Sequence, residues 1–141
     1  MNNEPIRIIL VDDHPIVRRS IRQLLEASPR FHVIADCEDG HSALEKAGES
    51  IPDVMMVDIN MSPMDGFTLT ERILEKHPSV KVIALSINIH PKYAIQMLEL
   101  GAKGYITKTS PPKEITQSII DVHNGDIYIC KEVKKNMPPS E

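Results

Sequence analysis

Apolar runs and helix-spaced stripes alternate five times along the chain. The runs are Ile6–Val11, Phe31–Ala35, Val54–Val57, Val80–Leu85 and Gly104–Ile106. They are short, rich in Val and Ile, and mostly apolar on both faces, the pattern of strands buried in a parallel sheet. The fifth is the weakest by periodicity. Between the runs, apolar residues recur with a 3.6-residue period and predict helices. Val17, Ile21, Leu24 and Leu25 form the first stripe, and Ala43, Leu44 and Ala47 a weaker second. Leu69 and Ile73 pair in the third. Ala94, Met97 and Leu98, with Tyr93 beside them, form the fourth, and Ile115, Ile119 and Val122 the fifth. Pro15 and Pro91 suit first helical turns, and Gly48, Gly101 and Gly125 suit helix exits. Asp65 is a candidate cap for the third helix, and His77-Pro78 would end it.

Five strand–helix units in about 120 residues make a (βα)5 chain, whose right-handed crossovers place helices on both faces of one sheet. The expected fold is therefore α/β, a doubly wound parallel sheet of flavodoxin-like strand order 2-1-3-4-5. The stretch after residue 126 reads differently. KEVKKN is mostly polar with modest helix potential, and MPPSE resembles a linker or a frayed end. The expected division is a domain over 5–124 and an extension, or the start of a linker, over 125–141.

Composition narrows the class. A chain of 141 residues with 41% apolar and 26% charged residues is one soluble globular domain, not a disordered segment. Its net charge of −4 gives no broad basic footprint for nucleic acid or anionic membrane. Cys37 and Cys130 sit in no CxxC pattern and read as free thiols in a reducing compartment. No apolar run approaches the ~20 residues of a membrane span. The first apolar run contains Arg7 and is followed by no small-residue cleavage site, so no signal peptide is expected. The expected location is cytoplasmic.

In a sheet of this kind ligands bind at the carboxyl ends of the strands, near the switch in strand order. The first strand ends in Val11-Asp12-Asp13 and the third in Val57-Asp58. The fourth ends in Leu85-Ser86 and the fifth in Ile106-Thr107-Lys108. Three carboxylates, a hydroxyl and an ammonium thus converge on one edge. Clustered carboxylates repel one another, and a divalent cation removes the problem. Oxygen-only ligation suits Mg²⁺. A carboxylate in such a site can attack phosphorus and become an aspartyl phosphate. Lys108 and the Ser86 hydroxyl are placed to hold phosphoryl oxygens.

At these residues the sequence resembles the receiver domain of two-component response regulators. The matching pieces are LVDDHPIVR at 10–18, VDINMSPMDG at 57–66, ALS at 84–86 and GAKGYITK at 101–108. Their order and spacing look most like the NarL/FixJ (LuxR-type) subfamily. The resemblance implies Asp58 as phosphoacceptor, Asp13 as direct Mg²⁺ ligand and Asp12 as a direct or water-mediated one. It implies the backbone carbonyl of Asn60 as the remaining protein ligand and Lys108 as the phosphoryl ion pair. Ser86 takes the place of the switch hydroxyl. Tyr105 takes that of the aromatic that moves inward with it. A sensor histidine kinase or phosphotransfer protein is the implied phosphoryl donor. Implied outputs are dimerisation or release of an output domain, here transcription through a DNA-binding domain outside this chain. The chain itself would be a switch rather than an enzyme.

Two departures from the family pattern stand out. The loop after the phosphoacceptor reads Met61-Ser62-Pro63-Met64, with proline displaced by one position. Thr109 rather than proline follows Lys108, and a cis Lys108–Thr109 bond would cost about 3 kcal/mol. Other readings compete. A degenerate receiver could act as an interaction module without phosphorylation. A flavin carrier would place a phosphate against Asp12 and Asp13, which repel it. A phosphohydrolase of the aspartyl-phosphate type usually has a second acid where Asn60 stands. His14 reads first as a cap of the first helix. Arg18, Arg19 and Arg22 read first as a solvated basic face. Met55 and Met56 read as core, and Met61 and Met64 as loop packing.

Overall fold

The computed structural model describes residues 4–138. Strand and helix alternate as β1 (Ile6–Val11), α1 (Pro15–Glu26), β2 (Phe31–Cys37), α2 (Gly40–Glu49), β3 (Val54–Asp58) and α3 (Gly66–Lys76). They continue as β4 (Lys81–Ser86), α4 (Pro91–Leu100), β5 (Gly104–Thr107), α5 (Pro112–His123), β6 (Tyr128–Ile129) and α6 (Lys131–Lys134). All strand pairs are parallel, in the order β2-β1-β3-β4-β5-β6. The doubly wound sheet expected from the hydrophobic pattern is thus present, with one strand added at its edge.

Every residue of β3 is buried, as are the last four of β1 and the last five of β4. Successive side chains on a strand point to opposite faces, so helices must cover both sides here. Ile8, Ile9, Met55, Met56 and Ile83 are fully buried at the centre of the core. Helix ends follow local chemistry. Pro15, Pro91 and Pro112 open α1, α4 and α5, where a missing N–H costs nothing. Asp65 caps α3 by accepting from Thr68 N at 2.8 Å, and Gly101 closes α4 at φ 111°. Gly48 does not end its helix. α2 runs on through Glu49, and Ser50 caps it.

The polar extension is the main difference from expectation. Residues 128–134 are not loose linker. Tyr128 N donates to Lys103 O at 3.0 Å and Cys130 N to Tyr105 O at 2.9 Å, so β6 covers the open edge of β5. Cys130 and Val133 are fully buried. Glu114 on α5 accepts from both Tyr128 Oη and Lys131 N, which ties the segment down. A two-residue strand is too short to show a period, and two apolar anchors carry its packing. The end of the MPPSE stretch, residues 139–141, lies outside the described residues. Both cysteines are free and buried, and burial pushes the Cys37 thiol up to about 11.

Candidate functional site

Parallel register brings the strand ends level. Val11 lies beside Val57, Asp58 beside Leu85, and Ser86 beside Thr107. Asp12 and Asp13 follow β1 directly, Asp58 ends β3, Ser86 ends β4 and Lys108 follows β5. All five proposed side chains therefore face one carboxyl edge. Asp58 and Ser86 are fully buried and Asp12 nearly so, while Asp13 keeps 37% of its side chain exposed.

Lys108 closes the cluster. Its Nζ donates to Asp58 Oδ2 and to Asp12 Oδ1, both at 3.1 Å. Asp12 Oδ2 lies 3.0 Å from the same ammonium but makes no hydrogen bond, although it is buried. Asp58 Oδ1 accepts from Asn60 N at 3.0 Å, which folds the loop after β3 back over the carboxylate. Lys108 N donates to Ser86 O at 2.8 Å and locks the fifth strand end to the fourth.

Burial first, and then the neighbouring Asp58 carboxylate, raise the Asp13 pKa above its ordinary value. The native state therefore holds this proton more tightly than the unfolded chain. Asp13's contribution to stability is present below the ordinary value of 3.8 and falls as pH rises towards the raised one. Asp13→Asn is accordingly expected to raise the melting temperature at neutral pH without divalent cations. The gain should vanish in acid, where the native carboxyl is already protonated. Thermal denaturation across the acidic range checks this, and an unchanged or lowered neutral-pH midpoint counts against it.

Ser86 and Tyr105 meet through a third residue. Ser86 Oγ accepts from Asn88 N at 2.9 Å, and Tyr105 Oη donates to Asn88 O at 2.8 Å. The loop between β4 and α4 is thus held at both ends of one residue. Tyr105 is fully buried, so its ring already lies inward. The residue after Lys108 is joined in trans. The cis bond among the described residues is Ser62–Pro63, at the displaced proline.

Two roles were not legible in the sequence. Arg18 is not part of a solvated face. Its Nη1 donates to Asp12 O at 2.6 Å and its Nε to Asp36 Oδ1 at 3.0 Å, which fixes the loop after β1. Arg22 also pairs with Asp36. Burial disfavours ionising Asp36, but Arg22 and Arg18 outweigh it and hold its carboxyl below the ordinary range. His14 occupies the N-cap position of α1 but makes no capping bond with its side chain. Its ring instead faces Asp12, Asp13 and Asp58. The spacing Asp12-Asp13-His14 hinted at a shared site, but a lone histidine before a helix is more often a cap.

Asp12, Asp13, His14 and Asp58 place one donor atom each within 4.8 Å of the others, a group able to hold a metal ion. The oxygen-rich set and the buried Asp12 Oδ2 without a hydrogen bond fit a hard divalent cation.

This fold and this site are those of a phosphoacceptor switch, and the chain belongs to the response regulator receiver domain family, whose model matches residues 8–120. Receivers are not enzymes in the ordinary sense but switches that assist their own phosphorylation and dephosphorylation, parts of two-component systems. The chain is 34% identical over 137 residues to the transcriptional regulatory protein DegU of Brevibacillus brevis, covering 97% of this chain and 58% of that protein. It is 33% identical over 132 residues to the response regulator GacA of Pseudomonas viridiflava, covering 94% and 62%. The chain thus spans about three-fifths of these relatives' length. Among solved structures, a LuxR-family response regulator from Aurantimonas sp. SI85-9A1 superposes with TM-score 0.89 at 30% identity, covering 94% of each chain. The isolated receiver domain of RcsB from Salmonella enterica serovar Typhimurium, solved with the phosphomimetic BeF3⁻, superposes with TM-score 0.87 at 26% identity, covering 95% and 99%. These likenesses place the chain nearest the NarL/FixJ, LuxR-type receivers. Among the described residues, no helix is long and apolar enough to cross a membrane.

Proposed function

We propose that Asp58 accepts a phosphoryl group from a phosphohistidine on a sensor kinase or phosphotransfer protein. A carboxylate oxygen of Asp58 attacks phosphorus as the P–N bond to the donor imidazole breaks. The imidazole leaves with the bonding pair and takes up a proton. Water later attacks the acyl phosphate and releases inorganic phosphate. Asp12, Asp13, Asp58 and the Asn60 carbonyl would hold Mg²⁺, which supplies charge neutralisation for the phosphoryl oxygens when bound. Lys108 pairs with one phosphoryl oxygen and the Ser86 hydroxyl with another. The observation that carries this reading is the Lys108 ammonium, 3.1 Å from both Asp58 and Asp12 in a buried cluster.

The switch follows from the same contacts. If Ser86 Oγ turns to a phosphoryl oxygen, it releases Asn88 N, and the loop held by Tyr105 is free to rearrange. Phosphorylation then shifts a two-state equilibrium at the surface of α4 and α5, where β6 covers the edge of β5. We infer that the output is transcription, through a DNA-binding domain outside this chain, with phosphorylation-dependent homodimerisation as its means. The relatives named for transcriptional regulation are longer than this chain, which supports that reading. The free, buried thiols suit a relay acting in the cytoplasm.

The test is beryllofluoride with Mg²⁺, followed by amide spectra of the β4–α4 loop. A response centred on Asn88 and Tyr105 is expected, and silence there rejects the reading. Lys108→Ala is expected to keep Mg²⁺ binding, since it removes a competing cation. It should blunt the beryllofluoride response, because one anchor of the anion is gone. A full response in that variant counts against the role given to Lys108.

A further inference from the structure

The structure assigns to His14 a role as a nitrogen ligand in the same cation site, one that tilts the site towards borderline metals such as Ni²⁺ relative to Mg²⁺. This rests on the reading that the carboxylate cluster binds a divalent cation. Local sequence aims the ring. Pro15 restricts the residue before it to extended backbone, and His14 lies at φ −95° and ψ 105°. Asp12 Oδ1 accepts from His14 N at 2.8 Å and draws the turn over the carboxylates.

The contacts show which nitrogen atom faces inward. An ammonium has three donors and no lone pair. Lys108 Nζ lies 2.8 Å from His14 Nδ1, so this nitrogen faces the same point as the ammonium. The same Nδ1 lies 3.1 Å from Asp12 Oδ1, 3.1 Å from Asp13 Oδ1 and 3.7 Å from Asp58 Oδ2. Four potential ligand atoms therefore crowd one point, and the Lys108 ammonium faces them. The buried Asp12 Oδ2, ion-paired with Lys108 at 3.0 Å but without a hydrogen bond, adds a further oxygen at the same place.

The spacing matches a coordination sphere. Adjacent ligands of an octahedral ion, each about 2.1 Å from it, lie about 3.0 Å apart. The two shorter nitrogen–oxygen separations are close to that edge length, and a small rotation of the exposed ring would bring in the third. The choice of metal follows from the donor. Mg²⁺ demands oxygen and keeps its waters, so it takes the carboxylates and leaves the imidazole aside. Ni²⁺ stands high in the Irving–Williams order and is well suited by imidazole, so it recruits His14.

Calorimetric titration of the wild-type chain and of His14→Gln with Mg²⁺ and, separately, with Ni²⁺ tests this. The variant is expected to lose about tenfold or more in Ni²⁺ affinity while its Mg²⁺ affinity changes by less than about twofold. The Ni²⁺-loaded wild type should show a paramagnetically shifted, exchangeable imidazole N–H resonance that the variant lacks. His14 is 58% exposed, so the substitution leaves the core untouched. An unmoved Ni²⁺-to-Mg²⁺ affinity ratio, or a shifted resonance that persists in the variant, overturns the inference. So does an equal loss in His90→Gln, which alters an exposed residue at the start of α4. If the wild type binds neither cation, the reading of the site as a metal centre fails first. If it binds Mg²⁺ normally and the ratio does not move, the role of His14 fails alone.

Discussion

Asp58→Asn is expected to abolish acyl-phosphate formation while the fold persists. Asparagine offers a poor nucleophile where a carboxylate oxygen attacked, so the covalent step has no first atom. The loss should be complete rather than partial, because no neighbour is equally placed. Asp12 is buried with both oxygens against Lys108, and Asp13 is partly open to solvent. The fold should survive because the asparagine Oδ1 still accepts from Asn60 N, as Asp58 Oδ1 does at 3.0 Å. Lys108 loses one carboxylate but keeps the other. Incubation with acetyl phosphate and Mg²⁺, followed by intact mass measurement, reads the outcome. The wild type should gain one hydroxylamine-labile phosphoryl group, and the variant none. A labile gain in the variant would move the phosphoacceptor to Asp12 or Asp13.

That expectation was open to a reader of the sequence, because the acids stand at strand ends and the strand ends were marked by their apolar runs. Ile6–Val11 and Val54–Val57 are dense in β-branched or apolar residues, and the polar residues that follow them mark where burial stops. Parallel topology then brings Asp12, Asp13, Asp58, Ser86 and Lys108 to one edge without knowledge of a single distance. What the sequence hid was orientation. Arg18 looks solvated on a helical wheel, yet its guanidinium turns to a backbone carbonyl and to Asp36. Long side chains reach across such distances, and periodicity places only their Cβ atoms. His14 was hidden for the same reason, since a cap position and a site position coincide there. The strand Tyr128–Ile129 was hidden because two residues carry no period, and their pairing depends on an edge elsewhere in the fold.

Gly66→Ala is expected to be the most damaging single-methyl change near the site. Gly66 opens α3, and its conformation is ordinary. The constraint is proximity. A Cβ there would lie 2.5 Å from Ile59 Cα and 2.6 Å from Asp58 O, both backbone atoms that cannot rotate away. Gly66 N donates to Ile59 O at 3.2 Å, so the helix start is bonded to the same segment it would strike. Relief requires the Asp58–Asn60 turn and α3 to part, which breaks that bond and shifts the carboxylate. Overpacking of this kind costs about 1–3 kcal/mol, and fixed backbone on both sides puts this case at the upper end. For a chain of this size the melting temperature should fall by roughly 10 °C. Beryllofluoride binding should weaken with it, because the displaced turn carries Asp58. Gly48→Ala supplies the contrast. Its Cβ would meet nothing within 4 Å, and it lies inside α2. There the added methyl should stabilise by about 0.5–1 kcal/mol through helix propensity and lost unfolded-state freedom. If the two variants melt alike in urea or heat, close approach is not what keeps position 66 a glycine.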